Sequence, residues 1–286
     1  MNSKSFIIEG KKKIDLKEIS SEPKSSFDKK KCKEILASNI AEMTEIQGRL
    51  YADNKWSILI ILQAMDTAGK DGAIKHVISG FNPQGTQVHS FKQPSSEELD
   101  HDYLWRAHKH LPERGNIGIF NRSYYEEVLV VKIHDLLQSQ SLPQSVIDDD
   151  IWEKRYRQIN DFEKYLLENG TITIKIFLHI TKDEQKRRLL SRIDDEAKNW
   201  KFSIADINER QHWGEYQKAY AECIEHTSTK ESPWFVIPAN DKAYARAAVS
   251  QVLVDVLNYI NPQYPSVTEI QKKNLENCKQ ELLNEK

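Results

Sequence analysis

The sequence predicts an α/β fold, a parallel five-stranded sheet flanked by helices. Three observations lead there. Apolar, β-branched runs alternate with amphipathic runs through the middle of the chain, and that alternation builds parallel sheets with helical crossovers. The run "WSILIILQ" (56–63) is apolar almost throughout, as a strand covered on both faces must be. The short motifs that carry chemistry mostly follow such runs, where ligands of these sheets bind, beyond the carboxyl ends of the strands.

In chain order, "KKCKEILASNIAEMTEIQGRLYAD" (30–53) reads as a helix, and strand 56–63 follows it. A helix is expected from Lys70 to Ser79, then a second strand, "GTQVHSF" (85–91). "SSEELDHDYLWRAHKHL" (95–111) reads as a helix opened by a capping box of Ser95 and Glu98. "NIGIFN" (116–121) is the third strand and "SYYEEVLVVKIHDLL" (123–137) a helix. A long amphipathic helix over 148–170 stops at Gly170. "TITIKIFLHI" (171–180) is the fourth strand, and a helix over 181–193 opens with a second capping box, Thr181 and Glu184. A helical region begins near Ser203, "PWFVIPA" (233–239) is the fifth strand, and a helix over 241–260 closes the series. Residues 1–45 read as a helical N-terminal extension, 46–262 as the core, and 263–286 as a tail with a polar helix.

Composition bounds the function. The 286 residues are 39% hydrophobic and 29% charged, enough for one large domain or two small ones. The formal net charge of −2 offers no global basic field for nucleic acid or membrane, so any anion site must be local. The three cysteines are far apart and form no disulfide framework, which points to a reducing, cytoplasmic setting. No run approaches the ~18 apolar residues of a membrane helix, and "MNSKSFIIEGKKK" lacks a signal-peptide core.

"QAMDTAGKDG" (63–72) follows the first strand and precedes a helix. Laid on the phosphate-loop pattern GxxxxGK[ST], Ala64 takes the first glycine, Gly69 and Lys70 fit, and Asp71 takes the hydroxyl position. Backbone N–H groups around Ala68, Gly69, Asp71 and Gly72 can cradle phosphate at the helix N-terminus, and Lys70 can neutralise it. Asp66 would repel phosphate unless a divalent cation lay between them, and Mg²⁺ binds one or two carboxylates together with phosphate oxygens. Asp71 serves the helix dipole equally well.

"FNRSYYEE" (120–127) follows the third strand. Asn121 stands where phosphate-loop enzymes often carry an acid for Mg²⁺. Arg122 has the fork for phosphate oxygens, Glu126 can restore the missing carboxylate, and Glu127 reads as a solvated acid. In "KRRLLSRIDDEAKNWKFS" (186–203), Arg188 and Arg192 share a helix face, and Lys198, Lys201 and Arg210 extend the basic content. This segment, about 186–215, stands where a mobile lid would supply charge to a transferring phosphoryl group.

Together "AMDTAGKDG", "NPQGTQVHSFKQPSSEELDHDYLWR", "FNRSYYEEVLVVKIH", "RIDDEAKNWKFS" and "PWFVIPANDKAYAR" resemble the polyphosphate kinase 2 family over about residues 30 to 262. The resemblance implies a P-loop kinase fold, thymidylate kinase-like, with a helical lid. It implies Mg²⁺-dependent phosphoryl transfer, with Mn²⁺ as substitute, between inorganic polyphosphate and purine nucleotides, in a homo-oligomer (dimer or tetramer). Asp66, Lys70, Arg122 and the basic residues Arg188 and Arg192 match functional positions of the family. Many members have "FDRS", and the "NRSYYEE" version is similar to the class III branch, which accepts nucleoside mono- and diphosphates and has an acid, here Glu126, near the acceptor. A polyphosphate chain needs a row of cations, which Lys75, Lys132, Arg188, Arg192, Lys198 and Lys201 would provide. Two rival readings are an ATP-dependent nucleoside monophosphate kinase and a non-catalytic polyanion-binding protein.

Overall fold

The computed structural model describes residues 1–8, 10, 12–200 and 202–285, so Lys201 lies outside the described residues. Six strands form one sheet: β1 (Ile7–Ile8), β2 (Ser57–Ala64), β3 (Thr86–Ser90), β4 (Ile117–Asn121), β5 (Thr171–His179) and β6 (Trp234–Pro238). Their spatial order is β1-β6-β5-β2-β4-β3. The last five in chain order run parallel, while β1 pairs antiparallel with β6. The expected five-stranded parallel sheet is therefore a mixed sheet of six. The extra strand is two residues long inside a Lys- and Ser-rich segment, too short to leave a period-2 pattern.

The helices are α1 (Lys29–Asp53), α2 (Lys70–Val77), α3 (Ser96–Leu99), α4 (Trp105–His108), α5 (Val130–Ile133), α6 (Ile151–Glu168), α7 (Lys182–Ile193), α8 (Glu196–Asn199), α9 (Ile204–Gln211), α10 (Trp213–Thr227), α11 (Lys242–Ile260) and α12 (Glu269–Asn284). All eight residues of β2 are buried, and their alternation splits them between two cores. Ile58, Ile60 and Leu62 pack with α1, α2 and α11, whereas Leu59 and Ile61 pack with α6 and α10. On α11, the small residues Ala245, Ala247 and Ala248 are buried against this layer. Phe6, Leu16, Cys32 and Met43 of the N-terminal segment are also core residues, and α1 runs through residue 45 without a break. No described helix is long and apolar enough to cross a membrane.

Two expected helices are broken. Over 95–111 the Ser95–Glu98 capping box forms, but Asp102 then accepts from the Leu104 N–H, and this local turn ends α3 and restarts the chain as α4. Over 123–137 the chain is a 3₁₀ turn (Tyr124–Val128), then α5, then a second 3₁₀ turn after Asp135 at φ 50°. Tertiary pull explains the first turn: the Tyr124 and Tyr125 hydroxyls both donate to Glu163 of α6, at 2.8 and 2.7 Å. At Thr181 the hydroxyl caps the Glu184 N–H, but the Glu184 carboxylate turns to Arg187 and Arg188 instead of closing a box.

Gly170, which ends the long helix, sits at φ +85°, and a Cβ there would meet Arg114 Nη1 at 3.0 Å. Gly170→Ala is expected to cost about 1–2 kcal/mol, read as a lower urea midpoint at unchanged slope.

The register brings Ala64, Asn121, His179 and Pro238 to one edge of the sheet, each beside its neighbour strand's end. The loops that follow these strands hold the motifs.

Candidate active site

The loop after β2 curls tightly into α2. Thr67 (φ 64°) and Gly69 (φ 114°) both take the left-handed conformation, which Gly69 adopts freely and β-branched Thr67 does not. The Ala68 N–H returns to the Met65 carbonyl at 3.2 Å. Gly69 caps α2 without a side chain, leaving first-turn amides for a ligand. Lys70 is buried, and its Nζ donates to the Ala64 carbonyl at 2.8 Å. Burial first, then the nearby Arg122 guanidinium, pulls its pKa below the ordinary lysine value.

Arg122 follows β4 at φ 63° and crosses to this loop. Its Nη2 donates to Asp66 at 2.7 Å and its Nη1 lies 3.6 Å from Glu126. Glu126, then Asp66, raises the guanidinium pKa against the opposing effect of burial. Gln63, buried at the end of β2, donates to Glu126 at 3.0 Å. Asn121 donates to Asp71 at 3.0 Å, tying the end of β4 to the first turn of α2. The structure thus brings together Asp66, Lys70, Asp71, Asn121, Arg122 and Glu126.

Other expected residues stand elsewhere. Arg188 is buried behind the loop, with Nη1 donating to the Thr67 and Ala68 carbonyls at 3.1 and 2.7 Å. Arg192 pairs with Asp206 at 3.1 Å. Lys132 pairs with Glu222 at 2.7 Å and lies over the Trp152 and Tyr156 rings, so it is committed to α6 and α10 and not to a row beside the loop. Lys198 pairs with Asp195. Lys75 is exposed on α2. Glu127, read from sequence as solvated, is buried and accepts from Arg155 Nε at 2.9 Å.

Several site residues were missed by sequence reasoning. Gln185 is buried, donates to the Asp66 carbonyl at 3.1 Å and accepts from Arg210 at 2.8 Å. Asp206 has its carboxyl pKa raised by burial and then by the charge of Asp66. Glu209 accepts from His134 at 3.0 Å and Tyr216 at 2.6 Å. On α11, Arg246 approaches Gly72 of the loop helix, and its charge with that of Lys75 holds His76 below its ordinary pKa, after burial. Gln185, Asp206 and Glu209 lie in no quoted motif, and Arg246 closes the block "PWFVIPANDKAYAR" without a role assigned to it there; only the three-dimensional path of α7 to α11 assembles them.

A cavity of about 990 Å³ opens beside Arg122 and Glu126, lined also by Phe91, Tyr103, Arg106 and His134. Its aromatic rings suit a flat ring, and Lys92, Arg106 and Arg122, set among Glu98, Glu126, Glu127 and Glu209, offer cations for a phosphate. Among the described residues no group of three His, Cys, Asp or Glu side chains is arranged to hold a metal. The fit to a hard cation is of another kind. Asp66, partly exposed at the cleft, offers carboxylate oxygen near Asp206, and phosphate oxygens and water complete such a shell.

Comparison with known proteins identifies the family. The sequence profile of polyphosphate kinase 2 matches residues 26–265. The chain is 51% identical over 252 residues to an ADP-polyphosphate phosphotransferase of Rhodopseudomonas palustris, covering 87% of each. It is 42% identical over 264 residues to an AMP/ADP-polyphosphate phosphotransferase of Meiothermus ruber, covering 92% of this chain and 95% of that one. The crystal structure of polyphosphate kinase 2 from Arthrobacter aurescens TC1 superposes with a TM-score of 0.86 at 39% identity, over 95% of this chain and 94% of the other. With its α/β, P-loop kinase-like fold and a match over most of its length, the chain belongs to the polyphosphate kinase 2 family.

Proposed function

We propose that the protein transfers phosphoryl groups from inorganic polyphosphate to nucleoside mono- and diphosphates, AMP and ADP or GMP and GDP, with Mg²⁺. The convergence of Lys70 and Asp66 on Arg122 and Glu126, two residues that line the cavity, carries this reading. The relatives named for AMP and ADP as acceptors support it. So does Glu126, which supplies a charge that Asn121 cannot.

The acceptor's terminal phosphate oxygen is already a nucleophile at neutral pH, so positioning and charge stabilisation dominate. The cavity takes the nucleoside and presents its phosphate to Arg122. Lys70 exchanges the Ala64 carbonyl for an oxygen of the transferring group. Gln63 and Glu126 hold the Arg122 fork in line from behind. Asp66, with Asp206 nearby, would hold Mg²⁺, which when bound neutralises the donor and acceptor oxygens. Lys75, exposed on α2, and Arg246 beside it receive the rest of the donor chain.

The test mixes the protein with long-chain polyphosphate, Mg²⁺ and either AMP or ADP, with an EDTA control, and separates the nucleotides by chromatography. ATP formed from both acceptors, and lost in EDTA, is expected. Transfer only from ATP to a nucleoside monophosphate would replace this reading with the ordinary nucleotide kinase. Tight polyphosphate binding without turnover would leave a polyanion binder.

The lowered pKa of Lys70 adds a pH dependence. A lowered pKa means the proton leaves at lower pH, so kcat/KM, which reports the free enzyme, should fall on the alkaline side before an ordinary lysine titrates. Arg122→Gln removes a like charge and frees two carboxylates, both of which raise that pKa. The alkaline limb should then move to higher pH, however low the residual rate.

A further inference from the structure

We propose that Arg188 is a positioning residue whose guanidinium fixes the peptide planes of the phosphate loop and contacts no phosphate itself. Arginine has five N–H donors, and here each has a protein acceptor. Nε donates to Glu184 at 2.5 Å. Nη1 donates to the carbonyls of Thr67 at 3.1 Å and Ala68 at 2.7 Å. Nη2 donates to those of Ala239 at 2.5 Å and Asn240 at 3.1 Å. The side chain is 4% exposed. No donor remains for a substrate oxygen.

The acceptors belong to three segments: the loop after β2, the loop after β6, and α7 itself, which follows β5. In the sheet β5 lies between β2 and β6. Arg188 therefore bridges the ends of three adjacent strands. The effect on the loop follows from peptide planarity. The Ala68 carbonyl and the Gly69 N–H belong to one trans unit and point in opposite directions. Holding that carbonyl on Arg188 turns the Gly69 N–H away from it, toward the loop mouth. The Thr67 carbonyl, held by the same nitrogen, belongs to a β-branched residue in the left-handed region, a conformation that needs external support. Glu184 aims the fork, and Arg187 steadies Glu184 from the solvent side, with two contacts of 2.6 Å.

Lysine cannot replace this. Its single ammonium with three donors cannot span three segments, although it preserves the charge. A phosphate contact and a clamp therefore predict opposite results for Arg188→Lys.

The inference rests on the loop serving phosphate as proposed above, but its first readout needs no turnover. Amide hydrogen exchange across residues 66–70 is measured in the parent, Arg188→Lys and Arg188→Met. Both variants are expected to exchange at least about tenfold faster there. In steady-state turnover both should lose about 100-fold in kcat, the scale of a misplaced catalytic loop. The slope of log Kd for polyphosphate against log salt should not change, because no ionic contact is lost. Unchanged exchange, near-parental kcat in Arg188→Lys, or a slope smaller by about one would each overturn the proposal. Arg188→Met leaves Glu184 short of a partner, so Arg188→Met with Glu184→Gln is measured beside it, with thermal melts confirming the fold. A parent that fails to turn over polyphosphate removes the proposed function, while the exchange result still decides whether Arg188 is a clamp.

Discussion

Lys70→Ala is expected to lower kcat about 10²–10³-fold, the cost of removing one preorganised donor from a site of charge transfer. The fold should survive. Lys70 is a buried cation whose burial opposes its charge, so deleting it relieves desolvation while leaving the Ala64 carbonyl without its partner, two effects of opposite sign. Lys70→Arg should not restore activity, because the slot holds a side chain of a residue only 9% exposed and the guanidinium is wider. Steady-state turnover with polyphosphate, beside a melting curve for each variant, checks this. A Lys70→Ala enzyme working at near-parental rate would sink the site assignment.

Glu163→Ala should be the most damaging change to stability, about 3–5 kcal/mol, as expected when a buried pair loses one partner. Lys175 is fully buried in β5, and its Nζ donates to Glu163 and to the Thr227 carbonyl, both at 2.6 Å. Its ring neighbours Tyr125 and Trp234 stand 5.8 and 5.6 Å away. Burial lowers the Lys175 pKa and Glu163 holds it up. Without Glu163 the pKa falls further, and the folded chain keeps Lys175 neutral while the unfolded chain protonates it. The unfolded state then binds the extra proton, so the deficit shrinks as pH rises toward the free lysine value and is largest at low pH. Denaturant titrations of the parent and Glu163→Ala at several pH values test the magnitude and the slope. Glu163→Leu with Lys175→Met should recover most of the loss, since apolar replacements of a buried pair are often neutral. A single variant within about 1 kcal/mol of the parent would contradict the whole account. The change should also reach the site, because Glu163 anchors Tyr124 and Tyr125 immediately before Glu126.

The five parallel strands were legible, because β2 and β5 announce themselves as long β-branched runs and because each turn residue sits where a strand should end, whereas the two-residue antiparallel β1 was not. Gly69, Lys70, Asp66 and Arg122 were legible for the same reason, since a strand–turn–helix path fixes where they must be. Residues on later helices were not. Helical spacing put Arg188 and Arg192 on one face, but only the packing of α7 against the loop shows that Arg188 faces inward to carbonyls while Arg192 pairs with Asp206. Glu127 looked solvated because nothing local marks Arg155, twenty-eight residues on, as its partner. The break at Asp102 and the 3₁₀ turn at Tyr124 escaped because a side-chain turn and a distant carboxylate outweighed local helical pattern.

The two-residue strand β1 has a consequence for how the protein behaves in solution and on refolding. A parallel sheet ends in open rows of N–H and C=O groups, and such a row invites pairing with another chain. Ile7 and Ile8 occupy that row opposite Phe235 and Trp234. The N-terminal segment thus works as a stopper against self-templated aggregation on β6. At the far side β3, five residues long, is the other edge strand, with Gln87 and Val88 exposed. A newly made chain whose first residues dock late would expose the β6 row in the interval, making the timing of that docking a determinant of yield.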